Sequence, residues 1–492
     1  MKKELLSIEN GMAGSAGSTI FRRLYIRLFH SDSMGIVFDD AHERKRLIQF
    51  LKGDMVLNAG RINFDGQNLL PEETPKLFKK YIGIIERDKK LIRSLDIEEN
   101  IFLCAADSSR FFIGSHTYTN AIAELNRQLE CNLRQFPAVE HLSQKERILL
   151  EMVKSYVEGR KLIVFSNISN LLNETELDEI FAMTLKMRSL GIGFIVIETF
   201  DEIIMKWTSE FIIIKNGKTM GVFDSGTADG NKIYSILLQG EKEKEKKVPH
   251  LNELLDEEEW APVLEFEDVS AGLLRDFNLS IGKGEVVKIY YTDDRSCSQI
   301  VDLLNGGCKP TKGTVLLSGE NYTAKNMYQA VRKGVCFVEE QTEQKMLLKN
   351  MSVYENVSLL MGEKVPYFWM RPRFNKSIRE FLGQYLGPED LDKKLSGLEP
   401  VYLQQMIYYR WLIYHPQVVI CIKPFSQEDI HVREITVMMI KALCDRGIAV
   451  IILTAKFSDI HRIEGENIFL RNGKTIDEDE VYQFLYSEDG SV

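Results

Sequence analysis

At 492 residues and 44% apolar content, the chain has room for two domains with ordinary cores. A formal net charge of −10 argues against a nucleic-acid binder, which needs a basic face. No apolar run approaches the ~20 residues of a membrane helix, so direct membrane insertion is not expected, and Met1–Ile8 lacks the apolar stretch of a signal peptide. The seven cysteines are scattered, with no Cys-x-x-Cys pair, which fits reduced thiols in a cytosolic protein and neither a disulfide nor a zinc framework.

In chain order, Leu5-Leu6-Ser7-Ile8 opens a first set of strands. Gly14-Ser15-Ala16-Gly17-Ser18-Thr19 resembles a phosphate loop, but Ser18 stands where Lys is required, and the run precedes the strand it should follow. It reads as a flexible hairpin tip. Leu47–Leu51 is an amphipathic stretch ending at Gly53, a helix C-terminus signal. Leu162–Phe165 and Ile195–Ile197 are buried-strand runs, and Asn216-Gly217 between apolar runs signals a hairpin. Glu241–Lys247, Pro249 and the acidic run Asp256–Glu259 form a core-free stretch, so residues 241–260 read as a solvated linker between domains 1–240 and 261–492.

The second half repeats the first. Val263–Phe266 mirrors the opening run, and the short strands Leu279–Ile281 and Val286–Tyr291 surround the turn Gly282-Lys283-Gly284. Ile300–Leu304 ends at Gly306, Val418–Ile422 and Val450–Leu453 are buried-strand runs, and Asn472-Gly473 repeats the hairpin signal. Lys215–Thr219 returns as Arg471–Thr475, and Ile97–Ile101 as Val353–Val357, both 256 residues on. Gly53, Gly60 and Gly66 return as Gly306, Gly313 and Gly319, 253 residues on. A period this long is a duplicated domain. Short buried strands between helical segments make each copy α/β with a mostly parallel sheet.

Three framework runs carry a resemblance. Leu142-Ser143 opens a helix that ends just before Lys161–Phe165. Arg410-Trp411-Leu412 and Pro416 precede the equivalent strand in the second half, and Asn350–Asn356 is a third shared run. On these residues the chain resembles the tandem ATP-binding subunit of ABC-type sugar importers, ribose or galactose class, along nearly all of both copies. The resemblance implies two tandem P-loop-NTPase-like ABC cassettes, each with a mostly parallel sheet core, an antiparallel β subdomain and a helical subdomain. It implies ATP and magnesium as cofactors, and membrane permease subunits or another cassette protein as partners. A cytoplasmic place follows, peripheral at the inner face of the cell membrane through the permease. Docking in the family uses a groove between core and helical subdomain, near Arg87 and its second-copy counterpart.

The motif positions depart from that pattern. A P-loop needs glycines that wrap phosphate in backbone N–H groups, a Lys for the outer phosphates and a hydroxyl for magnesium. In copy one the stretch is Phe38–Arg46, with Phe38, Ala41 and Glu43 at glycine positions, Arg44 for the lysine, and Lys45 and Arg46 for the hydroxyl pair. In copy two it is Tyr291–Ser298, with Cys297 for the lysine and Ser298 alone kept in kind; Asp293-Asp294 would set negative charge against phosphate. Arg44-Lys45-Arg46 could attract an anion, against the plain reading of a solvated basic turn. At the Walker B carboxylates stand Ser166-Asn167 and Ile422-Lys423. The signature keeps Leu142-Ser143 in copy one but continues Gln144-Lys145. Copy two has Leu398-Glu399-Pro400-Val401 or, shifted, Leu395-Ser396-Gly397. The glutamine-loop position is Arg87 in copy one; in copy two Glu340 persists, followed by Gln341 and Thr342. The switch histidine becomes Glu198 or Thr199, and Ala455.

Each site in this family is composite, the P-loop of one cassette facing the signature of the other, and all four halves depart here. Loss of metal ligand, base and phosphate cradle together leaves little to catalyse with. The expectation is a degenerate member: a pseudo-ATPase with no catalytic and no metal residues, serving as a structural or regulatory docking subunit. The alternative is a divergent ATPase that uses Arg44, Lys45 and Ser298 to energise carbohydrate import. A translation-type tandem cassette protein would carry intact motifs and a basic linker, and neither is present.

Overall fold

The structure is a computed structural model. It describes residues 3–15, 18–38, 40–87, 91–102, 115–199, 202–238, 261–339, 346–364, 371–395, 398, 400–426 and 429–481. The expected linker 241–260, the hairpin-tip residues Ala16 and Gly17, and Glu340, Gln341, Thr342, Ser396, Gly397 and Glu399 lie outside the described residues. The chain divides into two compact units, Met1–Gln239 with Glu428–Ile430, and Gly240–Gln427 with His431–Val492.

The first unit holds β1 (Glu4–Ser15), β2 (Ser18–Phe29), β3 (Ser33–Phe38), β4 (Ala59–Phe64), β5 (Gln67–Leu69), β6 (Ile82–Ile85), β7 (Leu162–Ser166), β8 (Gly193–Glu198), β9 (Glu210–Lys215) and β10 (Lys218–Asp224). The second holds β11 (Pro262–Ala271), β12 (Leu274–Gly282), β13 (Val286–Tyr291), β14 (Lys312–Leu317), β15 (Glu320–Asn321), β16 (Val335–Val338), β17 (Val418–Ile422), β18 (Ala449–Thr454), β19 (Glu466–Arg471) and β20 (Lys474–Ile476). The first core runs β6-β7-β8-β3-β9-β10 and the second β16-β17-β18-β13-β19-β20, the same order twice. All but the last strand of each run parallel. β3, β7 and β8 are buried at every residue, which is why they read as unbroken apolar runs.

Two differences from the sequence reading stand out. The opening strands are not short: β1 and β2 have 12 residues each. Arg22, Arg23 and Arg27 face solvent along β2, so its outer side is polar and hides its length from an apolar-run count. The antiparallel subdomain is a separate four-stranded sheet, β12-β11-β14-β15, only in the second unit. In the first, Lys218 pairs with Arg23 and joins it to the core as one ten-stranded sheet.

The repeated residues hold the same geometry in both units. Gly60 and Gly313 have φ of 112° and 77°, and a Cβ on them would lie 2.8 Å from the Asn10 carbonyl oxygen and 2.2 Å from that of Glu267. No other residue fits there. Asn216-Gly217 and Asn472-Gly473 turn β9 into β10 and β19 into β20 with positive φ throughout. Asn100 and Asn356 are fully buried clasps. The Asn100 Oδ1 accepts from Ile92 N–H at 2.8 Å, and its Nδ2 donates to the Ile92 and Asp96 carbonyls at 2.9 Å. Asn356 holds Leu348 N–H at 2.8 Å, with Leu348 and Ser352 carbonyls at 3.0 Å. Each clasp fixes the entry to a helix, Ile97–Phe102 or Val353–Ser358, whose N-terminus is closed by a reciprocal pair, Asp96 with Glu99 or Ser352 with Glu355.

Asp65, in the turn between β4 and β5, receives Lys3, His30 and Lys161. Burial alone would raise its carboxyl, but hydrogen bonds from Lys161, Lys3 and His30 outweigh that and hold it well below the usual carboxylate range.

Asn100→Ala leaves the Ile92 N–H without its acceptor and lowers stability by about 1–3 kcal/mol in urea unfolding. Asp65→Asn is less stable than the parent at neutral pH. The unfolded carboxylate takes its proton at the ordinary value of 3.8 while the folded one resists. The stability gap between parent and variant therefore closes as pH falls below that value, a trend thermal melts across acidic pH would follow.

Candidate functional site

In each unit the core strand β3 or β13 feeds a helix, Ala41–Leu51 or Asp294–Asn305. The first N–H groups of such a helix point at the carboxyl edge of the sheet with no partner of their own. In both units an aspartate satisfies them. Asp40 accepts from His42 N–H at 2.7 Å. Asp293 accepts from the Ser296 N–H and hydroxyl, both at 2.8 Å. Among the described residues, neither Phe38–Arg46 nor Tyr291–Ser298 has a positive φ, so no nest of N–H groups forms.

Arg44 is buried and reaches across to β7, where Nη1 donates to Ser166 Oγ at 3.0 Å. Of the expected basic trio, only Lys45 and Arg46 face solvent. Glu43 accepts from Gly217 N–H at 2.7 Å and so ties the helix to the β9–β10 turn. Beyond Ser166, Asn167 takes left-handed backbone (φ 53°) and is buried. Glu198 closes the cluster: fully buried at the end of β8, it accepts from Ser169 N–H at 3.1 Å and Ser169 Oγ at 2.8 Å. Arg44 is thus bonded to Ser166 at the end of β7, and Glu198 ends the neighbouring strand β8.

The second unit uses other residues for the same job. Lys423 has the same left-handed backbone (φ 46°), and its N–H donates to the Leu453 carbonyl as that of Asn167 does to Ile197. Its ammonium bonds Asp294 at 3.1 Å. Cys297 is buried, and burial pushes its thiol up to about 12, so no charge stands at the lysine position near neutral pH. Ser298 is exposed and its hydroxyl donates to the Asp294 carbonyl at 2.8 Å. Thr454 donates to Asp459 at 2.9 Å, next to Ala455.

Ser143 caps the helix Gln144–Val157, accepting from Glu146 N–H at 3.2 Å, while Glu146 accepts from Ser143 N–H at 2.7 Å. Arg87 is exposed just past β6. The structure therefore brings Arg44 to the sheet edge and leaves Lys45, Ser298, Ser143 and Arg87 at the surface. The sequence reading missed Asp40 as a cap and the two bridges, Arg44–Ser166 and Lys423–Asp294. An aspartate just before a helix was the available signal for the caps. Nothing in the sequence joins Arg44 to a residue so far along the chain.

A cavity of about 760 Å³ in the first unit lies between residues 93–98 and 133–140, beside the helical region. No helix among the described residues is long and apolar enough to cross a membrane.

No known protein-family profile matches the chain. It is 22% identical over 460 residues to a ribose import ATP-binding protein of Agrobacterium fabrum, covering 91% of this chain and 88% of that one. A putative ribose/galactose/methyl galactoside import ATP-binding protein of Rhizobium etli is 21% identical, with 93% and 89% covered. A galactose/methyl galactoside import ATP-binding protein of Mannheimia succiniciproducens is 19% identical, with 88% and 85% covered. Among solved structures, an RNase-L inhibitor superposes with a TM-score of 0.61 at 16% identity, covering 98% of this chain and 92% of that one, a likeness of fold alone. Two α/β cores in identical strand order thus go with a similarity, spanning both of them, to ribose and galactose import ATP-binding proteins.

Proposed function

We propose that this chain is a nucleotide-independent docking subunit. It is a pseudo-ATPase that keeps the tandem-cassette form to hold the permease subunits of a sugar-transport-type complex, or another cassette protein, at the cytoplasmic face of the membrane. The observation that carries this reading is that both strand-to-helix turns are filled by the protein's own groups. A carboxylate stands at each helix N-terminus, where a phosphate would need to enter, and it repels one. Of the cations near each turn, Arg44 is bonded to Ser166 and Lys423 to Asp294.

The donor set does not fit magnesium nucleotide. Mg²⁺ wants carboxylate or hydroxyl oxygens in octahedral array. The residues after β7 and at the end of β17 are Asn167 and Ile422, with Lys423 beyond it. A hydroxyl remains at Ser166, but it accepts from Arg44. The relatives supply the setting: they are named for import, and ATP-binding proteins of that kind work on permease partners. The helical region, with its cavity, offers a surface for such a contact.

Calorimetric titration of the full chain with ATP and magnesium should give no binding heat. Micromolar affinity abolished by Arg44→Ala would establish the divergent-ATPase reading instead. Purification from membranes should recover permease subunits encoded alongside it, and their consistent absence counts against docking. Arg44→Ala strands Ser166 and empties a buried site, lowering stability by about 1–3 kcal/mol. Lys423→Ala breaks a pair whose aspartate is largely exposed and costs less than about 1 kcal/mol. Urea unfolding of both variants ranks them, and the reverse order would contradict a structural role for the Arg44 bridge.

A further inference from the structure

The strand β2 carries a β-bulge. Against β1, Phe21 pairs with Ala13 and Leu24 with Gly11, so two residues of β2, Arg22 and Arg23, stand opposite Met12. Phe21 and Leu24 are buried, while both arginines and Met12 are exposed on the outer side of the sheet. A bulge turns two consecutive side chains out together, where regular pleating would send one of them inward.

Ladder partners extend this face. Tyr25 and Arg27 follow Arg23 at alternate positions and are exposed, with Leu24, Ile26 and Leu28 buried between and beyond them. Lys218 of β10 lies opposite Arg23, and beyond it Met220 and Val222 are each 54% exposed. On the other side of β1, Glu9 pairs with Arg61 of β4, which is exposed. Among the described residues, no carboxylate bonds Arg22, Arg23, Arg61 or Lys218. The acids nearby are Glu9, Glu4, which bonds Arg27 at 3.1 Å, and Asp224 at the far end of β10, which accepts from Gly226 N–H at 2.9 Å.

The fold does not require this chemistry. The outer face of an antiparallel sheet has only to be polar. The second unit builds the same bulge, pairing Phe277 with Val269 and Leu274 with Ala271, and there Arg275 and Asp276 turn out. At the offset of 253 residues, Tyr25, Arg27 and Arg61 become Asn278, Ser280 and Thr314. At the offset of 256, Val222 becomes Glu478. A chain of net charge −10 thus gathers cations on one face of its first unit and sets exposed apolar side chains among them.

That mixture matches a bilayer surface. Arginine and lysine meet lipid phosphates, and methionine, valine and the tyrosine ring enter the boundary between headgroups and acyl chains. An acidic peptide would use the cations but leave Met220 and Val222 in water. We infer that the outer face of β2 and β10 lies against an anionic lipid surface, a membrane contact that the first unit makes without an intervening protein. This goes beyond the docking reading above and does not rest on it.

The test sediments the full chain with vesicles of phosphatidylglycerol and phosphatidylcholine in equal parts, and with vesicles of phosphatidylcholine alone. The chain should pellet with the mixed vesicles and stay in solution with the neutral ones. Raising salt from about 0.1 to about 1 M shortens the Debye length from about 10 to about 3 Å and should release most of it. Arg22→Glu and Arg23→Glu should each weaken binding by about tenfold, and the milder Arg23→Gln by about fivefold. Lys309→Glu, which reverses an exposed cation of the second unit, should leave binding as it was. Circular-dichroism melts confirm that each variant is folded. A fluorescent glutamate-rich peptide, followed by anisotropy, is the competing ligand. Equal pelleting with both kinds of vesicle, no pelleting with either, or an equal loss in Lys309→Glu would overturn the membrane contact. Binding of the peptide without binding of the mixed vesicles would also overturn it and give the face to an acidic protein. The vesicles carry no permease, so failure here leaves the docking reading standing, and absence of permease subunits leaves this surface standing.

Discussion

A helix that leaves a buried parallel strand presents unpaired N–H groups and the positive end of its dipole to the edge of the sheet, and some acceptor must meet them. Here the acceptor is a side chain of the same chain. Asp40 and Asp293 cap the helices Ala41–Leu51 and Asp294–Asn305, and the turn between strand and helix needs no glycine. The neighbouring residues follow from that choice. With a carboxylate at the helix start, a cation is best placed as a bridge to the sheet, and both cassettes have one. Arg44 spans from helix to strand end, and Lys423 spans from strand end to helix. The direction is reversed and the residues differ, yet the same two elements are tied.

Around this edge the scaffold repeats closely. Six core strands keep one order in both units, and the same glycines take left-handed backbone. The buried Asn100 and Asn356 close equivalent loops with nearly the same distances. These positions repeat because each satisfies backbone groups that water cannot reach, and few residues can do so. The caps and bridges tolerate variety, since any acceptor serves an N-terminus and any long cation can span to it.

Where the cassettes diverge most is the helical region. Arg379 stacks on Tyr354 and pairs with Asp392 in cassette two, while Glu98, Ala123 and Phe136 stand at the same offset in cassette one.

Much of this was legible in advance. The buried runs Val164, Ile197, Ile420 and Ile452 mark the parallel strands, and Asn216-Gly217 and Asn472-Gly473 mark the turns, because strand burial and φ > 0 leave direct traces in residue type. The length of β2 was not, since its solvent face is arginine-rich, nor was the merging of the antiparallel strands with the core through Lys218 and Arg23. By itself the sequence determined the duplication, the α/β class and which side chains stand at the sheet edge. Only the tertiary structure decided what those side chains do: that Arg44 is buried against Ser166, that Asp40 caps a helix, and that Arg379 joins Tyr354 to Asp392. Those facts depend on contacts between residues far apart in the chain, and local pattern carries no record of them.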